Sequence, residues 1–319
     1  MNAGKLLVLS MISLTIYVTA TEKVIGQEAP TPEWTARIRQ LAPKEATAQP
    51  AEPRKVLLFS LFTGYKHDVI PYVKVVFKVL AERSRAFEIE MSDDIEMLAY
   101  DKLREYDAVI LNNNCSIGPG RNIFLDVLNA GSDNPDSPYA DYSEEMRRKK
   151  ATELEAGLIK FVQNGAGLMA VHGAIVMQNN SQAFCDMLGG NFDFHPKNQE
   201  VMLNPVEPAH PLLKAFAGKP FHHKDEPYVF SSCYAKNNFR PLLVMDTSKL
   251  ELQEEQRRVL SDVRYVSWIK KHGKGRVFYV SPSHNATSYE NKQLLQFYLD
   301  GLQYVLGDLN CDDTPMSHN

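Results

Sequence analysis

The strongest constraint on the fold is a set of strand-length runs that are apolar at nearly every position: Val56-Leu57-Leu58-Phe59-Ser60, Ala108-Val109-Ile110-Leu111 and Gly167-Leu168-Met169-Ala170-Val171. A strand with one wet face alternates apolar and polar residues, so a continuous run marks a strand covered on both faces, as in a parallel sheet between helical layers. The intervening segments agree. Ile70 to Arg83 carries apolar residues at helical spacing, Phe87 to Met91 reads as a strand, Glu96 to Tyr106 as a short helix, and Glu144 to Asn164 as a long helix stopped by Gly165. Such alternation predicts an α/β fold with a mostly parallel sheet.

Downstream, Ser181 to Leu188 and Tyr289 to Leu306 read as helices and Val201 to Val206, Tyr228 to Ser231 and Leu242 to Asp246 as shorter strands. Arg264 to Ile269 and Arg276 to Ser281 pair around Gly273-Lys274-Gly275. The connection Asn112 to Tyr142, dense in Asn, Gly, Asp, Ser and Pro, is long for a compact domain and is either an ordered lid or an insertion. With 319 residues, 44% of them apolar, the chain has material for one large core or two smaller ones, and it holds no internal repeat.

Lys5 followed by an apolar stretch from Leu6 to Ala20, with Val18-Thr19-Ala20 as a small-residue cleavage site, has signal-peptide order, so residues 1–20 are expected to be removed. The stretch is short for a membrane span, and no second candidate follows it, so no span is expected after cleavage and the protein is placed in a periplasm or outside the cell. Residues 21–53, rich in Ala, Pro, Glu and Thr, read as a linker or strap with a short helix from Trp34 to Leu41. A formal charge of -4 and the absence of a long basic run argue against nucleic acid as a partner, and Arg147-Arg148-Lys149-Lys150 reads as a solvated helix face. Cys115, Cys185, Cys233 and Cys311 are too widely spaced to give a connectivity, and single buried thiols are expected.

Histidines recur just past strand ends or in turn-rich loops, and a parallel sheet gathers such loops along one edge. His67 follows the first strand beside Asp68, which caps the next helix, orients the imidazole, or forms a capped turn without chemistry. His172 sits directly after a buried strand and before Gly173-Ala174, a strand-turn-helix layout able to present a base, acid or metal ligand. His195 after Gly189-Gly190-Asn191-Phe192 and His284 after Val277 to Val280 fit the same edge. Asp225 and Glu226 next to Tyr228 and Phe230 combine carboxylates with aromatic surface, a pairing suited to sugars. His222 and His223 add ligands on opposite strand faces, whereas His210 reads as a surface turn, His272 as an exposed hairpin tip and His318 as part of a tail. The chain has no G-x-S-x-G elbow, Walker loop, G-x-G-x-x-G fingerprint or H-E-x-x-H pair, which removes serine hydrolase, nucleotide triphosphatase and zincin readings. Cys115 lies after a strand without elbow residues and is a poor nucleophile candidate.

In order, Gly64-Tyr65-Lys66-His67-Asp68, the Gly165 to Ala174 strand and elbow, Leu188-Gly189-Gly190-Asn191-Phe192 with His195-Pro196, Ala209-His210-Pro211, Asp225-Glu226-Pro227-Tyr228, and Val266-Ser267-Trp268 through Gly275-Arg276-Val277-Phe278-Tyr279 to His284 resemble the ThuA-like (trehalose utilisation) family. The resemblance implies one such domain over residues 54–308, followed by a tail over 309–319. It implies a flavodoxin-like three-layer sandwich related to class I glutamine amidotransferases, in which the elbow cysteine is absent and His172 stands near its place. It also implies action on disaccharides or keto-sugar derivatives. The chain departs from the family pattern at Gly173, where many members carry serine, in the apolar Ile175-Val176-Met177, and in the length of Asn112 to Tyr142.

The resulting expectation is an exported carbohydrate-processing hydrolase, lyase or isomerase. His172, His67 and Glu226 are its catalytic residues, and Asp68, Asp225, Tyr228, Trp268, His195 and His284 line the substrate site. His67, His172, His195 and His284 are candidate ligands for a divalent metal such as zinc. The competing expectation is a non-catalytic module binding a sugar or a protein on the same fold.

Overall fold

A computed structural model describes residues 29–260 and 264–316. In chain order the elements are α1 (Pro32–Leu41), β1 (Lys55–Phe59), α2 (Ile70–Ser84), β2 (Glu88–Ser92), α3 (Tyr100–Leu103), β3 (Ala108–Asn112), α4 (Ile123–Ser132), α5 (Glu144–Gln163), β4 (Gly167–Val171), α6 (Gln182–Leu188), β5 (Asn191–Phe194), β6 (Gln199–Pro205), β7 (Phe221–Asp225), β8 (Val229–Ser231), β9 (Arg240–Met245), α7 (Glu254–Val259), β10 (Arg264–His272), β11 (Gly275–Val280) and α8 (Lys292–Val305). The proposed signal peptide, its cleavage site and His318 lie outside the described residues.

The apolar runs form the centre of a nine-stranded sheet of order β2-β1-β3-β4-β11-β10-β9-β6-β7. β3 and β4 are buried at every position, and β1 at all but its first. From β2 to β11 the pairing is parallel, with Leu111 opposite Ala170 and Val171 opposite Val280. The carboxyl ends of β1, β3, β4 and β11 therefore open on one edge. The chain leaves β1 for β2 on one side and then crosses to β3 on the other, which makes the β1/β3 boundary the switch point where open α/β sheets form crevices.

From β11 onward the sheet is antiparallel. Two reversals separate β11 from β9 and two more separate β9 from β7, so β7 again runs toward the site edge. β7 is four places from β11 in the order, yet Asp225 at its end accepts backbone N–H groups from Ser283 and His284 just after β11, both at 2.8 Å. The antiparallel half thus curls back, helped by register shifts of β10 against β9 between Tyr265 and Trp268.

Several expectations change. The segment from 112 to 142 holds α4, whose Ile123, Phe124 and Leu128 are buried and whose N-cap Asn122 accepts the Leu125 N–H. Turn-forming residues on both sides hide that short helix in the sequence. Extended backbone at Ala99 splits the expected helix of 96–106 into a 3₁₀ turn over 95–98 and α3. After His172 the chain forms a 3₁₀ turn, not an α-helix. Single thiols were expected, but Cys185 and Cys233 form a disulfide, because β5–β8 pairing brings their Cα atoms to 5.8 Å; Cys115 and Cys311 remain thiols.

The segment before β1 is a strap. Trp34 meets Tyr72 edge-on at 4.8 Å, Arg37 pairs with Glu290 at 2.6 Å, and the Thr47 and Ala48 N–H groups donate to Gln303 of α8. No helix among the described residues is long and apolar enough to cross a membrane.

Candidate active site

The site is assembled from four loops at the sheet's carboxyl edge. After β1, the Thr63 and Gly64 N–H groups both donate to the Cys115 carbonyl at 2.9 Å, which lashes this loop to the one after β3. A Cβ on Gly64 would stand 2.4 Å from the Ser116 carbonyl oxygen, so only glycine permits the contact. His67 follows, buried. After β4, His172 takes a left-handed backbone with φ 47°, a strained conformation for a non-glycine residue. The strain is held by the Tyr279 hydroxyl, which donates to the His172 carbonyl at 3.2 Å, and by the Asn113 side chain, which accepts the Gly173 N–H at 3.3 Å. A Cβ on Gly173 would lie 2.6 Å from His67 Cε1, so His67 occupies the space that a side chain at 173 would need.

The third and fourth loops are joined by one carboxylate. Asp225, 3% exposed, accepts the N–H groups of Glu226 (2.9 Å), Ser283 (2.8 Å) and His284 (2.8 Å). Its side chain thereby sets Glu226 and His284 relative to one another.

One ligand atom from each of His67, His172, Glu226 and His284 lies within 4.8 Å of the others. Glu226 Oε2 is 3.1 Å from His284 Nδ1, 3.5 Å from His172 Nε2 and 3.8 Å from His195 Nε2. His172 Nδ1 donates to the Ser281 carbonyl at 2.7 Å, which fixes the tautomer and leaves the Nε2 lone pair facing the centre. His172 Nε2 and His284 Nδ1 are buried, and the Glu226 carboxylate is the polar group that faces both. Burial, with the neighbouring His172 and His284, pushes the His67 pKa well below its ordinary value and keeps that ring neutral. Burial alone would raise Glu226, but the His172 and His284 imidazoles outweigh it and hold its carboxyl well below the usual range. Burial opposes charge on His284 too, yet the Glu226 carboxylate raises its pKa overall. Three imidazole nitrogens and one ionised carboxylate, their ligand atoms within 4.8 Å of one another, form a donor set suited to a zinc-like divalent cation.

A cavity of about 210 Å³ opens over this cluster. Tyr65, 60% exposed, stands at its mouth. On its wall the Tyr228 ring, 3% exposed, packs against His172 at 4.1 Å, Phe192 at 4.7 Å and His195 at 5.6 Å, which leaves the more exposed Phe192 and His195 as the aromatic surface for an apolar ring face. The Tyr228 hydroxyl is 3.4 Å from His67 Nε2. Cys115 also lines the cavity, 3.8 Å from His67 Nδ1, but burial pushes its pKa up to about 12, which keeps it a thiol. A larger cavity of about 580 Å³ lies beneath the strap near the amino ends of β1 and β2, away from this chemistry.

The residues expected at the site divide by position. His67, His172, Glu226 and His284 converge. Tyr228 and His195 line the cavity, His195 at its rim beside Glu226 but outside the four-residue group. Two expected substrate contacts, Trp268 and Asp225, require correction, and the helix-capping reading of Asp68 falls as well. Trp268 is fully buried on β10, with its Nε1 donating to the Leu188 carbonyl at 2.8 Å, because this face of β10 packs into the core. Asp225 spends its oxygens on backbone N–H groups and does not line the cavity over the cluster. Asp68 is exposed and does not cap α2, whose N-cap Val69 makes no side-chain bond.

His223 bonds the Ser288 hydroxyl at 2.9 Å on the buried face of β7, while His222 is exposed on the other. His210 is buried, not in a surface turn: Nε2 donates to the Asp312 carbonyl and Nδ1 accepts the Leu212 N–H. His272 is partly buried at its hairpin. Arg121 and Tyr65 were not singled out as site residues. Tyr65 had one available signal, its place two residues before His67; Arg121 lies in a loop whose path only the fold defines.

A family model described as ThuA, trehalose utilisation, matches residues 140–305. Among solved structures, a ThuA-like protein from Bacteroides uniformis is 17% identical, with 81% of this chain and 94% of that one covered at a TM-score of 0.57. A ThuA-like protein from Parabacteroides merdae is 17% identical, with 83% and 98% covered at a TM-score of 0.52. These likenesses agree with the α/β three-layer fold. No curated protein matches the chain.

Proposed function

This chain belongs to the ThuA family of trehalose utilisation, and on that premise we propose that it is an exported carbohydrate-processing enzyme with a His67, His172, Glu226 and His284 centre. The observation that carries the reading is the convergence of these four residues, drawn from four separate loops, beneath a cavity with aromatic walls. Such an arrangement needs several independent anchors to persist, and two of those anchors, strained His172 and buried Asp225, have no other evident use.

His67, His172, Glu226 and His284 would hold a divalent ion such as zinc, which when bound polarises a sugar carbonyl or hydroxyl oxygen. Phe192 and His195, backed by the buried Tyr228, receive the ring face of the sugar. His195, outside the four-residue group and partly exposed, is the imidazole placed to exchange a proton between substrate and solvent. The reaction is hydrolysis, elimination or isomerisation of a glycoside or keto-sugar. Export is supported by the signal-like N-terminus and by the Cys185–Cys233 disulfide, a bond favoured in oxidising compartments.

The test is calorimetric zinc titration together with turnover assays on a panel of disaccharides and keto-sugars, for the wild type and His172→Ala. The variant is expected to keep its circular dichroism spectrum while losing zinc binding and turnover. A folded variant that binds zinc and turns over substrate as the wild type does overturns the proposal.

A further inference from the structure

Arg121 lines the same cavity as His67, His195 and Glu226, and it is held with unusual firmness. Its Nη1 donates to the Ser116 carbonyl at 2.9 Å. The guanidinium lies against Gly118, where a Cβ would stand 3.3 Å from Cζ and Nη2 and 3.4 Å from Nε, so a side chain there would crowd the group. The backbone of Arg121 is left-handed, φ 49°, and its N–H donates to the Ile117 carbonyl at 2.8 Å.

The loop that carries Arg121 is pinned at both ends. The Asn180 side chain donates to the Pro119 and Gly120 carbonyls at 2.7 and 3.1 Å, and Asp126 accepts the Ile117 N–H at 2.9 Å and the Thr63 hydroxyl at 2.5 Å. Arg54 pairs with Asp308 at 2.6 Å and Arg240 with Glu207 at 2.5 Å, whereas the half-buried Arg83, Arg147 and Arg276 bond carbonyl or amide oxygens away from the cavity. Arg121 makes no ion pair with any described residue. It is a pre-positioned cation facing a ligand cavity, with its remaining N–H donors unassigned.

We propose that Arg121 makes this site selective for a sugar acid, receiving the substrate's carboxylate while the ring lies against Phe192 and His195. The inference rests on the reading of the cavity as a carbohydrate site and names its substrate class. A cavity of about 210 Å³, smaller than those that enclose drug-sized ligands, suits one monosaccharide unit. A single guanidinium matches a single carboxylate in fork geometry. A phosphate dianion would meet only this one arginine on the cavity lining, so a phosphosugar is disfavoured.

The test is calorimetry of metal-free and zinc-loaded protein with D-glucuronate against D-glucose and D-galacturonate against D-galactose, with glucose 6-phosphate as a further probe. Each acid is expected to bind the wild type about tenfold or more tighter than its neutral partner, the range of a charge-assisted hydrogen-bonded pair. Arg121→Gln is expected to lose that preference while retaining zinc affinity and neutral-sugar binding, and Arg121→Lys, which keeps the charge without the fork, to retain part of it. Equal binding of acid and neutral sugar, no binding of either, tighter binding of glucose 6-phosphate, or a preference that survives Arg121→Gln would each overturn the proposal. The last outcome would assign the carboxylate to the metal or the imidazoles. If an Arg121-dependent acid preference is present while zinc does not bind and His172→Ala leaves turnover intact, the catalytic reading fails and the assignment of the substrate class stands.

Discussion

The Asp225 carboxylate accepts the backbone N–H of His284 at 2.8 Å, joining the end of an outer antiparallel strand to the loop after a central parallel one. Because Glu226 is the next residue along, this bond sets the distance between a carboxylate and an imidazole of the candidate centre. Asp225→Asn keeps the size of the side chain but replaces one acceptor with a donor facing the Ser283 or His284 N–H. We expect zinc affinity to fall about 10- to 100-fold, the range for groups that orient metal ligands, together with a loss of about 2 kcal/mol in unfolding free energy. Isothermal titration and urea denaturation measure the two effects; unchanged zinc affinity in the folded variant would show that Asp225 does not position the site.

Gly173 is where His67 needs space. A Cβ there would stand 2.6 Å from His67 Cε1 and 3.0 Å from Cys115 Sγ. Gly173→Ala therefore displaces the His67 ring, at an expected overpacking cost of about 1–3 kcal/mol and at least about a tenfold loss of zinc affinity. A crystal structure of the variant with His67 in its original position would refute this account.

Asp300 on α8 provides a pH test far from the site. Burial pushes its pKa up from 3.8 to about 6, against hydrogen bonds from Thr47 and Gln296 that favour the ionised form. The folded state therefore binds the proton more tightly than the unfolded state. Stability from this group is fully present below about pH 4 and is lost as pH rises through about 6, a change of about 2–3 kcal/mol. Asp300→Asn, neutral throughout and still able to accept from Thr47 and Gln296, should equal the wild type near about pH 4 and exceed it by that amount above about pH 7. Urea unfolding across this range checks the sign; a wild-type-to-variant difference that does not vary with pH would exclude Asp300 as the titrating group.

The central architecture was legible because it follows from a local property. Runs such as Ala108-Val109-Ile110-Leu111 have no polar face, so they had to be covered on both sides, and α5 was readable from its helical pattern and its stop at Gly165, while its Ser143 N-cap emerges from the structure. The histidines at strand ends were legible for the same reason, since a parallel sheet sends its loops to one edge. α4, the β5–β8 pair and the Cys185–Cys233 bond were not, because each depends on segments brought together only after the sheet forms.

The sequence by itself determined that His67, His172 and His284 would share an edge, since strand direction follows from the order of strands and helices. Only the tertiary structure decided that Glu226 joins them: the antiparallel half had to curl for β7 to reach the loop after β11. The same curvature separated Asp225 as a backbone clamp from Glu226 as a site residue, and it left Trp268 in the core. A chain's pattern of apolar residues sets which faces are buried, but the distance between two side chains depends on the sum of twists and bulges across every strand between them.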